Sequence, residues 1–255
     1  MSALFSEIST LALVLALVVT AMAGLIKGMT GFGMPMIMIS GLSTVLPPEI
    51  ALAALIMPTL ASNGMQALRL GWRAAWQVVV RFKVYIAVLL VMLVFSAQLV
   101  PHIPRALLFL IIGCPISAFA VLMLSGWTAP RPKRPQLAEA IIGGFSGFIG
   151  GMSGVWGPPT VAYLTAIELP KREHVQAQGV IYGLGAVVLL AAHVQSGVIR
   201  AQTLPLSLLM IIPAVIGMAL GQKVQDRIDQ KVFKRLTMVV LLVAGLNLVR
   251  RGLGW

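Results

Sequence analysis

Two apolar stretches, residues 10–46 and 137–167, are each too long for one passage through a bilayer and are each interrupted by glycines. A helical span takes about 20 residues, so each stretch must turn inside the membrane or leave it. The first holds Gly24, Gly28, Gly31 and Gly33; the second holds Gly143, Gly144, Gly147, Gly150, Gly151, Gly154 and Gly157. Further apolar runs lie at 50–68, 82–100, 105–125, 174–195, 203–222 and 233–249, giving about eight membrane segments. The chain is 59% apolar and only 10% charged, where a soluble domain uses about 25% charged residues. These numbers exclude a catalytic domain outside the bilayer and predict an all-α polytopic membrane protein. The formal net charge of +12 therefore reads as loop charge before it reads as a nucleic-acid surface, and no nucleic-acid partner is expected. Cys114 is the single cysteine, and MSALFSEIST lacks the basic n-region of a cleaved signal, so the first apolar segment is expected to be retained.

Sliding the chain over itself by 123 residues pairs Gly24 with Gly147, Gly28 with Gly151, Met29 with Met152, Thr30 with Ser153, Gly31 with Gly154 and Pro35 with Pro158, then Leu46-Pro47 with Leu169-Pro170. A fixed offset across so many positions is the mark of a duplication. The expected units are residues 1–126 and 137–255, joined by a cytoplasmic linker at 127–136 within one membrane domain.

Charge decides how the stretches cross. If both long stretches pass fully through the bilayer, the two sides carry 10 and 8 lysines and arginines, Lys27 aside. If both are re-entrant hairpins, one side collects 14, in the 69–83, 126–136, 168–173 and 222–235 loops, against 4 (Arg105, Arg200, Arg250 and Arg251). The positive-inside rule selects the hairpins, with those four loops cytoplasmic and both termini extracytoplasmic. One hairpin plus three crossings per copy inverts the second copy, and inverted repeats with broken helices near the midplane are an architecture of secondary transporters. Trp72, Trp76, Trp127 and Trp255 fall at span ends, as interfacial aromatics do.

Lys27 is the one strongly basic residue inside a membrane segment, where a charge is costly and usually faces a cavity. The acids, Glu7, Glu49, Glu139, Glu168, Glu173, Asp226 and Asp229, all fall at segment ends or in loops, so an anion from the substrate is its natural complement. The tips KGMTGFGMP and GGMSGVWGPP put glycines beside it, and the returning half-helices are expected to begin near Thr30 and Ser153, offering amide N–H groups to an anion. Close helix packing is the plainer use of the same glycines. Asn63, Gln66, Gln176, Gln178 and Tyr182 are polar groups on otherwise apolar segments, suited to a ligand or to interhelical bonds. His193 has no His or Cys companion, so no metal or other cofactor is expected. Ser153 with His193 resembles an intramembrane serine protease pair, but Thr30 at the matching position of the other copy assigns the motif to hairpin geometry.

The twin hairpins GLIKGMTGFGMPMIMISGL (24–42) and GGFSGFIGGMSGVWGPPTVAYL (143–164), each followed by a proline-marked break, together with RIDQKVFKRLTMVVLLVAGLNLV (227–249), resemble the TauE/SafE family of sulfite and organosulfonate permeases over essentially the whole chain. The resemblance implies a carrier in the bacterial plasma membrane for a small sulfur oxyanion or organic anion, working without ATP hydrolysis. It maps the tips to Lys27–Pro35 and Gly150–Pro159. Met34, Met36, Trp156 and Pro159 depart from family sequences, which often carry extra glycines in the first hairpin, and reshape the pocket. The expected substrate contacts are Lys27, Gly28, Thr30, Gly31, Gly33, Asn63, Gln66, Gly151, Ser153, Gly154, Trp156, Gln176, Gln178 and Tyr182, with no catalytic residue. An anion channel or a membrane accessory protein would use the same scaffold without alternating access.

Overall fold

The computed structural model describes residues 8–127, 130–224 and 230–254, and every regular element among them is helical. In chain order these are α1 (Thr10–Thr30), α2 (Met34–Leu42), α3 (Pro48–Ala67), α4 (Trp72–Arg81), α5 (Lys83–Ala97), a 3-10 turn (Val100–His102), α6 (Arg105–Leu124), α7 (Pro135–Ser153), α8 (Gly157–Ala166), α9 (Lys171–Gln195), α10 (Leu204–Leu209), α11 (Ile211–Val224) and α12 (Gln230–Gly252). Six stretches are long and apolar enough to cross a membrane: Thr10–Thr30, Pro48–Ala67, Lys83–His102, Arg105–Leu124, Glu173–Gln195 and Leu204–Lys223. The chain is thus an all-α polytopic membrane protein. Its termini, the loop around Arg227 and part of the 127–136 linker lie outside the described residues.

Local chemistry sets the boundaries. Ser9 caps α1 through Ala12 N (3.2 Å), and prolines open α3, α7 and α9 where their missing N–H costs nothing. α1 and α7 both stop at a left-handed glycine, Gly31 (φ 81) and Gly154 (φ 71), whose N–H bonds back to Lys27 and Gly150 at 2.7 Å. Two elements differ from the sequence expectation. The 69–83 segment, expected to be a loop, contains the helix α4, which buries only Ala75 and exposes Trp72 and Trp76; an apolar stripe on a short basic helix suits the membrane surface, not a crossing. The 203–222 segment is divided at Met210 into α10 and α11.

Two helix pairs run parallel at backbone contact. A Cβ on Gly24 or Gly28 would lie 2.2 Å from the carbonyl oxygen of Ala214 or Met218, so α1 lies directly on α11. At the matched positions, a Cβ on Gly147 or Gly151 would lie 2.1 or 2.3 Å from the oxygen of Leu89 or Leu93, so α7 lies on α5 in the same manner. Small residues at this spacing are what permit such an approach. α2 folds back along α1, with Gly41 against Val19, and α8 folds back from α7, its Tyr163 reaching Glu139. α3 and α9 run antiparallel, with Gly179 against Gln66 and Gly183 against Asn63, and α6 and α12 run antiparallel, with Gly113 against Leu248 and Gly252 against Leu110. Arg251, at the end of α12, donates to the carbonyl of Ser43 at the foot of the first hairpin and stacks 4.5 Å over the Phe109 ring. The ends of α3 and α11 and the starts of α5, α7 and α9 share one face, called the basic face below because Arg69, Lys83, Lys133 and Arg134 lie there.

Candidate functional site

The two breaks, residues 31–33 and 154–156, place the hairpin tips side by side in the interior. Each tip is closed by a hydroxyl. Thr30 Oγ1 donates to Ile26 O (2.8 Å) and accepts from Phe32 N (3.3 Å); Ser153 Oγ donates to Ile149 O (2.8 Å) and accepts from Val155 N (3.1 Å). Thr30 and Ser153 therefore end the outgoing helices. The returning helices begin at Met34 and Gly157, not near Thr30 and Ser153, because the left-handed glycines and the turn after them take three residues. The second tip also offers fewer amides than the sequence suggested, since Pro158 and Pro159 leave Gly157 the only N–H in the first three positions of α8.

Lys27 is 1% exposed and donates through Nζ to Asn63 Oδ1. Asn63 in turn points Nδ2 at the carbonyl of Tyr182 (3.5 Å), and the Tyr182 hydroxyl donates to Gly157 O (3.3 Å) while its ring meets Trp156 edge-on at 6.4 Å. A small gap of about 20 Å³, bordered by Lys27, Gly33, Asn63, Gly154, Trp156 and Tyr182, separates the two tips. That is room for about one water.

On the basic-face side of Lys27 the space widens to a vestibule of about 580 Å³. Lys27, Gly28, Thr30, Gly31, Gln66 and Gln178 line it together with Arg69, His174, Thr165 and Gln222, and among the described residues no acidic one does. Gln66 Nε2 donates to Val175 O (3.1 Å), and Gln66 Oε1 is buried with no hydrogen-bond partner among the described residues. Gln178 Nε2 lies 3.2 Å from His174 Nε2. The sequence reading missed Arg69 and His174 because one sits just beyond an apolar run and the other at the very start of one; only the antiparallel pairing of α3 with α9 turns these ends toward one opening.

Three expected contacts lie elsewhere. Gly151 is pressed on α5, and its carbonyl accepts from His193 Nε2 at 2.9 Å. Ser153 is fully buried in its own cap. Gln176 turns away and donates to Ala67 O (3.1 Å). With His193 Nδ1 on Ser196 Oγ at 3.1 Å, both ring nitrogens are occupied and neither meets Ser153. Leu55 packs against Gly154 from the side away from the vestibule, and the hollow of about 430 Å³ on the face opposite the basic one touches no residue of either tip.

Glu139 lies near the end of its segment, as expected, one turn into α7, but it is 8% exposed there and accepts from Tyr85 N (3.3 Å) and from the Tyr163 hydroxyl (3.2 Å). It does not approach Lys27.

A family model described as Sulfite exporter TauE/SafE matches residues 16–248, a span that includes both tips and the whole vestibule. No curated protein and no solved structure matches the chain.

Proposed function

The chain belongs to the sulfite exporter TauE/SafE family, and from that premise we propose that it is a secondary transporter for a small anion, sulfite or another sulfur oxyanion or organosulfonate, in the bacterial plasma membrane. The observation that carries this reading is Lys27: a buried cation at the blind end of a vestibule that no described acid lines, with the neutral Asn63 as its one side-chain partner among the described residues. Burying an ammonium without a counter-charge costs several kcal/mol, and an anion arriving through the vestibule offsets that cost. Asn63 fixes the ammonium, Gln66 and Gln178 flank the path, and Arg69 at the mouth raises the local anion concentration. An oxyanion that still carries one O–H would also supply the hydrogen that Gln66 Oε1 lacks.

Alternating access follows from the two hairpins. They pack on their partner helices at matched glycines, as two inverted copies would, while the described space beside the tips opens toward the basic face through the vestibule and not into the hollow on the opposite face. Exchanging the conformations of the two copies would close the basic face and open the other, breaking the His193 contact with Gly151 and moving Leu55 off Gly154. The test is flux in proteoliposomes across a panel of sulfite, thiosulfate, sulfonates and carboxylates. Saturable sulfur-oxyanion flux with counterflow supports the carrier; flux without saturation or counterflow indicates a channel; no anion flux contradicts transport.

A further inference from the structure

The duplication provides an internal control for the polar groups of the second hairpin. Glu139, Ser146, Thr160 and Tyr163 correspond, at the 123-residue offset, to Ala16, Ala23, Ile37 and Ser40. Tyr85, whose backbone faces Gly143, corresponds to Met210, which faces Thr20. The first hairpin thus has an apolar side chain at four of these five positions, with Ser40 and the facing Thr20 uncharged polar groups, and all are buried. The fold does not require a carboxylate there, and a buried carboxylate is costly.

In the second hairpin those positions form one connected network. Glu139 takes the Tyr163 hydroxyl on Oε1 and the Tyr85 amide on Oε2. The two tyrosine rings stack at 5.6 Å, and the Tyr85 hydroxyl lies 2.9 Å from Ser146 Oγ and 2.8 Å from Thr160 Oγ1. Thr160 donates to the carbonyl of Trp156 (2.7 Å), a residue of the gap beside Lys27. No lysine or arginine among the described residues forms an ion pair with Glu139. Of the elements packed on α7, α5 presents Tyr85 and α8 presents Tyr163, while the nearest titratable group of α6, Cys114, is exposed. Arg81, within electrostatic range of Tyr163, is exposed and paired with Glu173 at 2.8 Å.

We propose that Glu139 is a proton-binding site that links proton uptake to the movement of the second hairpin, making anion transport by this chain proton-coupled. One proton adds to Oε1; the Tyr163 hydroxyl then turns from donor to acceptor, while the Tyr85 amide cannot turn. The carboxylate's charge-assisted bonds to α5 and α8 become ordinary ones of about half the strength, so the joint loosens on protonation and tightens on proton release. The proposal rests on the transport reading above.

The test uses the full chain in proteoliposomes with sulfite as the probe. Wild-type flux is expected to respond to an imposed pH difference, Glu139→Gln to lose that response while retaining sulfite counterflow, and Tyr163→Phe to shift the pH profile. Wild-type sulfite flux indifferent to the pH difference, or Glu139→Gln responding as wild type does, overturns the proposal and leaves the transport reading intact. Absence of any wild-type flux contradicts the transport reading instead. An infrared titration then decides the proton site by itself: a protonated-carboxyl band that appears on acidification and is missing in Glu139→Gln, or in Tyr163→Phe is shifted, supports it. No such band in the wild type overturns it.

Discussion

Lys27 of α1 donates its ammonium hydrogen to the side-chain oxygen of Asn63 on α3, joining the tip of the first hairpin to a helix that crosses beside it. The contact places a cation where no described acid meets it, so its removal has opposite consequences for stability and for function. Lys27→Met is expected to keep or raise thermal stability in detergent, by up to about 1–4 kcal/mol, because an apolar side chain of similar length replaces a buried charge. A melting temperature well below wild type would show that the charge is compensated in a way this account omits.

Asn63→Ala removes the one side-chain partner that, among the described residues, fixes the ammonium. Leaving a buried donor unpaired costs about 1–3 kcal/mol, so this variant is expected to melt lower than Lys27→Met and to show a raised KM for the transported anion. The double variant should recover most of the lost stability, since the orphaned charge is gone; a strictly additive loss would argue against direct coupling.

The hairpin joints predict a graded response to added methyl groups. Gly24→Ala and Gly147→Ala each drive a Cβ to within 2.2 and 2.1 Å of a neighbouring carbonyl oxygen, which forces helix pairs apart at about 1–3 kcal/mol each. Gly144→Ala, whose Cβ would meet Val88 at 3.4 Å, is expected to be nearly neutral. Equal losses at all three positions, followed by thermal melts, would contradict the backbone contacts described above.

Thr30 and Ser153 are expected to matter for the tips and not for the ligand. Thr30→Ala and Ser153→Ala each lose the hydroxyl that satisfies a carbonyl four residues back and an amide two residues on, a loss of about 0.5–1.5 kcal/mol. The anion KM should stay close to wild type in both. A large KM increase with unchanged stability would restore them as substrate donors.

The tips were readable because apolar length, glycine spacing and proline are local properties: a run too long for one span with GMTG or GMSG inside it must turn there. Lys27 was readable for the same reason, as a charge within an apolar run. The mouth of the vestibule was not, since Arg69 and His174 come together only through the α3–α9 packing. Glu139 was hidden by its place one turn from a helix start, where sequence suggests water; its burial is created by Tyr85 and Tyr163, 54 and 24 residues away. The roles of Thr30 and Ser153 shifted because three residues of turn separate them from the helices they were expected to begin.

The most direct test of the central claim is sulfite counterflow by wild type and Lys27→Met, reconstituted side by side at matched protein content and confirmed folded by their melts. Lys27 as the counter-charge for a transported anion predicts saturable counterflow in the wild type and its loss in Lys27→Met. Undiminished counterflow in Lys27→Met, with the same KM as wild type, would contradict it.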